Sequence, residues 1–213
     1  MATDESRKKI VETAMQMFNS RGIRGVTMDD IATTLHMSKR TLYETFANKE
    51  ELLTECLMEV NHAIEKRHKE VYLKVDEPLL VALYMVEVNA MSNHSYCLLI
   101  EEMERYYPEI HDRFFKIHTT AFREMIAKTL NYAKTQGYLR PAVDIDTVVD
   151  FMCQFVQERR ISATRNSCEY ARKMSELSFT FLRGLMTTET IVRYEQKEEE
   201  FRQIMKKINE TYK

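Results

Sequence analysis

Glycine and proline are scarce in this chain, four and three residues among 213. With 44% hydrophobic and 30% charged residues, that scarcity points to a soluble, helical protein. The glycines stand apart at 22, 25, 137 and 184, so no Gly-rich loop exists to cradle a phosphate. G-x-S-x-G and H-E-x-x-H are missing as well. No apolar run approaches the roughly 20 residues of a membrane span, and the opening MATDESRKK lacks the apolar centre of a signal peptide. A cytoplasmic protein with no membrane partner is the expectation. The four cysteines, Cys56, Cys97, Cys153 and Cys168, form no CxxC pair and read as small, buried, reduced residues of an intracellular protein. A redox sensor needs a thiolate in an electropositive, accessible setting, and none is visible.

An excess of positive charge is lacking too. The formal net charge is −2, which argues against nonspecific coating of DNA but leaves room for a specific binder with a local positive patch. Lys39, Arg40 and Lys49 supply such a patch, with Arg24 at its margin. Glu101, Glu102 and Glu104 lie near His94 and His111, but a helical di-metal site wants Glu-x-x-His motifs on facing helices. That spacing is absent, and the acids read as solvated. No catalytic residue, metal or cofactor is expected.

What the chain does have is the stretch Thr27 to Lys49, TMDDIATTLHMSKRTLYETFANK. Thr27 is a good N-cap, and Asp30 three residues on answers it in a short-acid capping box. Ile31, Ala32 and Leu35 give an apolar face at helical spacing. The pattern breaks at His36-Met37-Ser38. Ser38 is the natural N-cap of a second helix, from Lys39 to about Phe46, in which Leu42 and Phe46 face inward. Asn48 and Glu51 repeat the capping signal, so a third helix starts near Lys49. Two capped helices and a three-residue turn fit a helix-turn-helix, whose second helix can enter the major groove. Many all-helical proteins contain two short helices and a turn, so position and context matter.

That context runs from Ile10 to Leu53. An amphipathic helix with Ala14 and Phe18 leads into Arg21-Gly22. Thr27 precedes Asp30-Ile31-Ala32, Ser38-Lys39 precedes Thr41-Leu42-Tyr43, and Phe46 precedes Asn48-Lys49-Glu50-Glu51-Leu52. In this ordered spacing, over the first quarter of the chain, the sequence resembles the N-terminal domain of the TetR family of bacterial transcriptional regulators. The resemblance implies DNA-facing roles for Thr27, Ser38, Lys39, Arg40, Thr41, Tyr43, Thr45 and Lys49. Two positions depart from the family pattern. His36 stands where the family usually has Gly, and His tolerates left-handed backbone angles better than most side chains. Arg40 stands where Gly often follows the Ser-Lys pair, adding a forked donor suited to guanine or phosphate.

The rest of the chain reads as further helices, with no internal repeat and no convincing strand. The first helix spans about Asp4 to Ser20. A long one from Lys49 turns charged near Glu65 to Glu70. Further helices are expected at Leu79 to Asn93, Ser95 to Tyr106, Pro108 to Thr135 with Gly137 as its C-terminal cap, Asp144 or Asp146 to Ala163, Glu169 to Met186, and Glu189 to Tyr212. The fold class is all-α. An N-terminal three-helix helix-turn-helix domain (1–48) precedes a larger helical ligand-binding and dimerisation domain (49–213), with the helix from about 49 to 73 bridging the two.

In the larger domain aromatics, methionines and polar residues recur on the same helices. Tyr84, Met85, Val88, Asn89, Tyr96, Leu99, Met103, Phe115, His118, Phe122, Phe151, Gln154 and Phe155 are candidates to line a pocket that is mostly apolar with a few polar groups. The bland alternative is a Met- and Phe-rich core, since amphipathic stripes normally pack inward. The resemblance implies an inducer pocket there, for a small apolar or amphipathic effector. It also implies a homodimer paired through the last two major helices, suggesting Val149, Met152, Cys153, Val156, Met174, Leu177, Phe181 and Leu185. Those positions equally suit packing within one chain. The expected function is a ligand-responsive regulator, by the family's usual mode a repressor, bound to a palindromic double-stranded DNA operator. An enzyme, or a helical adaptor whose head contacts protein, are the rival classes.

Overall fold

The computed structural model describes residues 4–74, 77, 94–161 and 177–211. Among them the chain is helical, with one isolated antiparallel bridge between Leu139 and Met186. In chain order the helices are α1 (Asp4–Arg21), α2 (Met28–Thr34), α3 (Lys39–Thr45), α4 (Lys49–Lys74), α5 (His94–Tyr106), α6 (Pro108–Thr135), α7 (Ile145–Ile161), α8 (residues 177–185) and α9 (Thr188–Thr211). The expected helix from Leu79 to Asn93 lies outside the described residues, as does the first half of the one expected from Glu169. No helix among the described residues is long and apolar enough to cross a membrane.

The helices begin and end where local chemistry dictates. Gly22, at φ +74, closes α1 by donating its N–H to the Phe18 carbonyl at 2.9 Å. Pro108 opens α6 at the position where its missing N–H costs nothing. At the other end Gly137, at φ +73, sends its N–H to Lys134, while Tyr138 bonds the Ala133 carbonyl. That pair of bonds is a Schellman cap. Asp144, the first of the two expected candidates, starts α7 by accepting the Thr147 N–H at 2.8 Å.

Two compact units result. One contains the described residues within Met1–Ala63 and Asn93–His118, the other those within Ile64–Ser92 and Thr119–Lys213. Both α4 and α6 contribute to each unit. The first unit is built on a core of Ile10, Ala14, Phe18, Ile23, Ile31, Leu42 and Phe46 together with Leu52, Leu53 and Leu57 of α4. Leu99, Ile100 and Met103 of α5 and Phe114 of α6 belong to the same core. This unit therefore takes in more than the first 48 residues, its core being completed by side chains of α4, α5 and α6. The second unit's core joins Val71, Phe122, Ile126 and Leu130 to Val148, Val149, Met152, Cys153, Leu182 and Met186.

Candidate nucleic-acid interface

The reading head is the pair α2 and α3. At the start of α2 the Thr27 hydroxyl accepts the Asp30 N–H at 3.1 Å, and the Asp30 carboxylate accepts the Thr27 N–H at 2.9 Å. The same carboxylate takes the Thr27 hydroxyl proton at 2.7 Å. This is the capping box expected from the sequence, and the bonds that the carboxylate accepts from the Thr27 hydroxyl and backbone N–H lower the Asp30 carboxyl below its ordinary value. The turn to α3 is a Schellman cap in which His36, at φ +52, takes the place normally given to Gly. Its N–H bonds the Thr33 carbonyl, and the Met37 N–H bonds that of Ala32. Ser38 then caps α3, accepting the Thr41 N–H at 3.1 Å.

Burial orients α3. Leu42 and Phe46 are fully buried, each burial worth roughly 1.5–3 kcal/mol. With that side fixed, Ser38, Lys39, Arg40, Thr41 and Tyr43 face solvent, and Thr45 is half-buried with its hydroxyl donating to the Thr41 carbonyl. Lys39 pairs with Asp29 of α2, and Arg40 donates through Nε to Glu44 at 2.7 Å. Lys49 is arranged differently. Its ammonium donates to the carbonyls of Ile23, at 3.1 Å, and Val26, at 3.0 Å, so it ties the α1–α2 turn to the start of α4.

These residues form a capped helix-turn-helix, with a polar α3 N-terminus offered to solvent and the opposite side locked in a core. Residues 10–56 match the family model of bacterial regulatory proteins of the tetR family. The head is a TetR-family DNA-binding domain. It is 29% identical over 150 residues to the transcriptional repressor KstR2 of Mycobacterium tuberculosis strain H37Rv, covering 68% of this chain and 75% of that one. The solved structure of the M. tuberculosis ketosteroid regulator KstR2 superposes with a TM-score of 0.57 at 22% identity, over 87% of this chain and 97% of that one. A regulator from Saccharomonospora viridis, solved in complex with choline, reaches a TM-score of 0.70 at 21% identity, over 87% and 100% of the two chains.

With that domain the chain is a DNA-binding transcriptional regulator, and several contacts that its sequence does not announce hold the head together. The Glu102 carboxylate of α5 accepts the backbone N–H groups of Ile23, at 2.5 Å, and Arg24, at 3.2 Å. It is therefore a capping acceptor, not the solvated acid expected from the sequence. The Arg24 guanidinium lies 4.4 Å over the Tyr106 ring and donates to the phenol oxygen at 3.1 Å. Arg7 sits 4.4 Å over Phe46, bonds the Thr45 carbonyl at the end of α3, and pairs with Glu55 at 3.2 Å. No local motif marks these residues, because each partner is dozens of positions away.

The described residues among the pocket candidates divide between the two units. Leu99 and Met103 are buried in the core of the first unit, with Phe115 packed against it. There His118 lies near Phe114, with ring centroids 6.3 Å apart. Phe122 belongs to the second core. Gln154 is exposed. Tyr84, Met85, Val88 and Asn89 lie outside the described residues, as do the side chains of Tyr96 and Phe155.

Of the expected dimer residues, Val149, Met152 and Cys153 are buried within the chain's own second core, and Phe181 and Leu185 pack against it. Leu177 is 57% exposed. Val156, as a side chain, and Met174 lie outside the described residues. Phe151, a pocket candidate, is 47% exposed and stacks on Phe181 with centroids 4.7 Å apart. Cys56 and Cys153 are free and buried, and burial pushes the Cys56 thiol up to about 12. That is the reverse of a reactive cysteine's setting.

Proposed function

We propose that the protein is a homodimeric repressor that holds a palindromic operator and releases it when a small apolar or amphipathic effector binds. The observation that carries the reading is the orientation of α3. Its apolar side is anchored by Leu42 and Phe46, while Lys39, Arg40, Thr41 and Tyr43 stand on the free side beside the capped N-terminus. One seven-residue helix touches too little DNA to select a site alone, whereas two helices about 34 Å apart read successive major grooves of a palindrome. In this reading Tyr43, Thr27 and Ser38 contact phosphate and Arg40 contacts a base edge.

The effector class rests on relatives. A regulator named for ketosteroids supports an apolar effector, and one solved with choline shows that a relative of this fold takes a small organic cation. For release, the effector must bind one arrangement of the dimer better than the other. Because α4 and α6 each run through both units, a tilt of either is a direct route to the head.

Enrichment of bound sequences from a random duplex library, followed by footprinting of the region upstream of the protein's own gene, tests the reading. A palindromic site with half-site centres one helical turn apart is the expected outcome. A protein that enriches no sequence and protects no upstream DNA is not the regulator proposed. Thermal-shift measurements with steroids, acyl chains and quaternary amines then test the effector class.

A further inference from the structure

The head of this DNA-binding protein carries little free positive charge. Residues 1–63 hold eight Lys or Arg and ten Asp or Glu. Six of the eight cations have partners inside the unit. Arg7 pairs with Glu55, Lys8 with Glu12 at 3.9 Å, Lys39 with Asp29, and Arg40 with Glu44. Lys49 is held by two carbonyls, and Arg24 by Tyr106.

The Lys39–Asp29 pair differs from the others in where it lies. It joins the first turn of α2 to the first turn of α3, beside the helix end that faces the groove. Lys39 and Asp29 are both more than half exposed, so the pair is weak and readily exchanged. It has two effects on approaching DNA. It occupies the ammonium nearest the groove-facing end, and it puts a carboxylate where the duplex brings about one negative charge per 1.7 Å.

We propose that Asp29 is a specificity-determining residue. By holding Lys39 in the unbound head it lowers affinity for arbitrary duplex, so that stable binding requires the base contacts of a correct site. This role for Asp29 rests on the protein's binding DNA as proposed above. Binding to random sequence is almost wholly electrostatic, whereas an operator adds base contacts that replace what the paired lysine withholds. Removing Asp29 therefore raises nonspecific affinity more than specific affinity, and discrimination falls.

The experiment measures binding of the full-length protein to its enriched site, where Asp29→Asn should gain less, and to random-sequence duplex DNA across a salt series. Asp29→Asn is expected to tighten the random-sequence binding about three- to tenfold at low salt. It should also steepen the log K against log salt slope by about one, the release expected for one further phosphate contact. Glu12→Gln makes the same change in formal charge away from α3 and is expected to shift affinity less than twofold. In a Lys39→Gln background, most of the Asp29→Asn gain should disappear. Equal effects of Asp29→Asn and Glu12→Gln, or a gain kept in full without Lys39, would overturn the proposal. Should Asp29→Asn prove poorly folded by circular dichroism, Asp29→Ser carries the same comparison. A wild-type protein that binds no duplex at any salt overturns the regulator reading itself, a result distinct from unchanged slopes.

Discussion

The Glu102 carboxylate accepts the backbone N–H of Ile23 at 2.5 Å, so a helix seventy-nine positions away caps the turn that launches the reading head. Gly22 beside it serves two needs. Its φ of +74 suits a residue without Cβ, and a Cβ there would stand 2.6 Å from a Glu102 oxygen. Glu102→Ala leaves two backbone donors without this acceptor and is expected to cost about 1–3 kcal/mol in chemical denaturation. Gly22→Ala is expected to cost about 1–2 kcal/mol from backbone strain alone. Since Gly22→Ala also displaces the carboxylate, the double variant should lose less than the sum. Strict additivity would show that turn and carboxylate act independently.

Lys49 is the second tie on that turn, and its role sets a clear expectation. Lys49→Ala removes the donor shared by the carbonyls of Ile23 and Val26. It should lower stability by about 1–2 kcal/mol and weaken binding to every duplex, because α2 loses its fixed departure from α1. The salt slope separates this from a phosphate contact. A positioning role leaves the slope unchanged, whereas a lost phosphate contact reduces it by about one.

The parts of the head legible in the sequence are those written in local chemistry. Thr27 with Asp30, Ser38 with Thr41, and Gly137 after α6 each act within a few positions, so residue type and spacing suffice. Glu102 and the partners of Lys49 and Arg7 are set by tertiary approach, which single-sequence periodicity does not encode. The same limit applies to Leu99 and Met103, whose spacing fits a pocket wall or a core equally well. On α7 the sequence reads as apolar on two sides. Val149, Met152 and Cys153 face the chain's own core, and Phe151 faces out. Only packing tells those sides apart.

His36 holds a left-handed conformation in the turn between α2 and α3. Its imidazole is exposed, so the backbone angle is the main constraint there. His36→Gly should be neutral or stabilise by up to about 1 kcal/mol, the relief of strain being partly offset by the greater freedom of the unfolded glycine. His36→Val places a β-branched residue at positive φ and should cost about 1–2 kcal/mol. Thermal melts of the three proteins at equal concentration give the order Gly, His, Val. A valine variant as stable as the parent would contradict the assigned turn.

Asp30 links the α2 cap to acidity. The Thr27 hydroxyl and backbone N–H favour its charged form and depress its carboxyl, while an unfolded Asp titrates near about 3.9. A depressed folded value means that the stabilisation is present above the unfolded value and fades as pH falls through the folded one. The parent should therefore lose stability on acidification below about pH 4 more steeply than Asp30→Asn, which cannot titrate there. Parallel curves for the two proteins would remove Asp30 from the acid response.

The outer side of α7 and α8 is where the proposed dimer is expected to form. Phe151 and Phe181 stack on each other, and Leu177 stands 57% exposed. Gly184 has nothing within 4 Å of where a Cβ would lie. An exposed leucine at this position is worth little to a monomer, so Leu177→Glu should leave the single chain folded, within about 0.5 kcal/mol. In a dimer that buries this side, the same change sets an unpaired carboxylate against its mate, a desolvation that costs several kcal/mol. Leu177→Glu is therefore expected to sediment as a monomer at micromolar concentration while keeping its helical circular dichroism. It should also lose operator binding by 100-fold or more, because about 2.7 kcal/mol already corresponds to that factor. Gly184→Ala, adding one methyl in open space on the same side, should weaken dimerisation only if a second helix approaches closely there. A Leu177→Glu protein that remains dimeric and binds its site normally would move the subunit contact to another face.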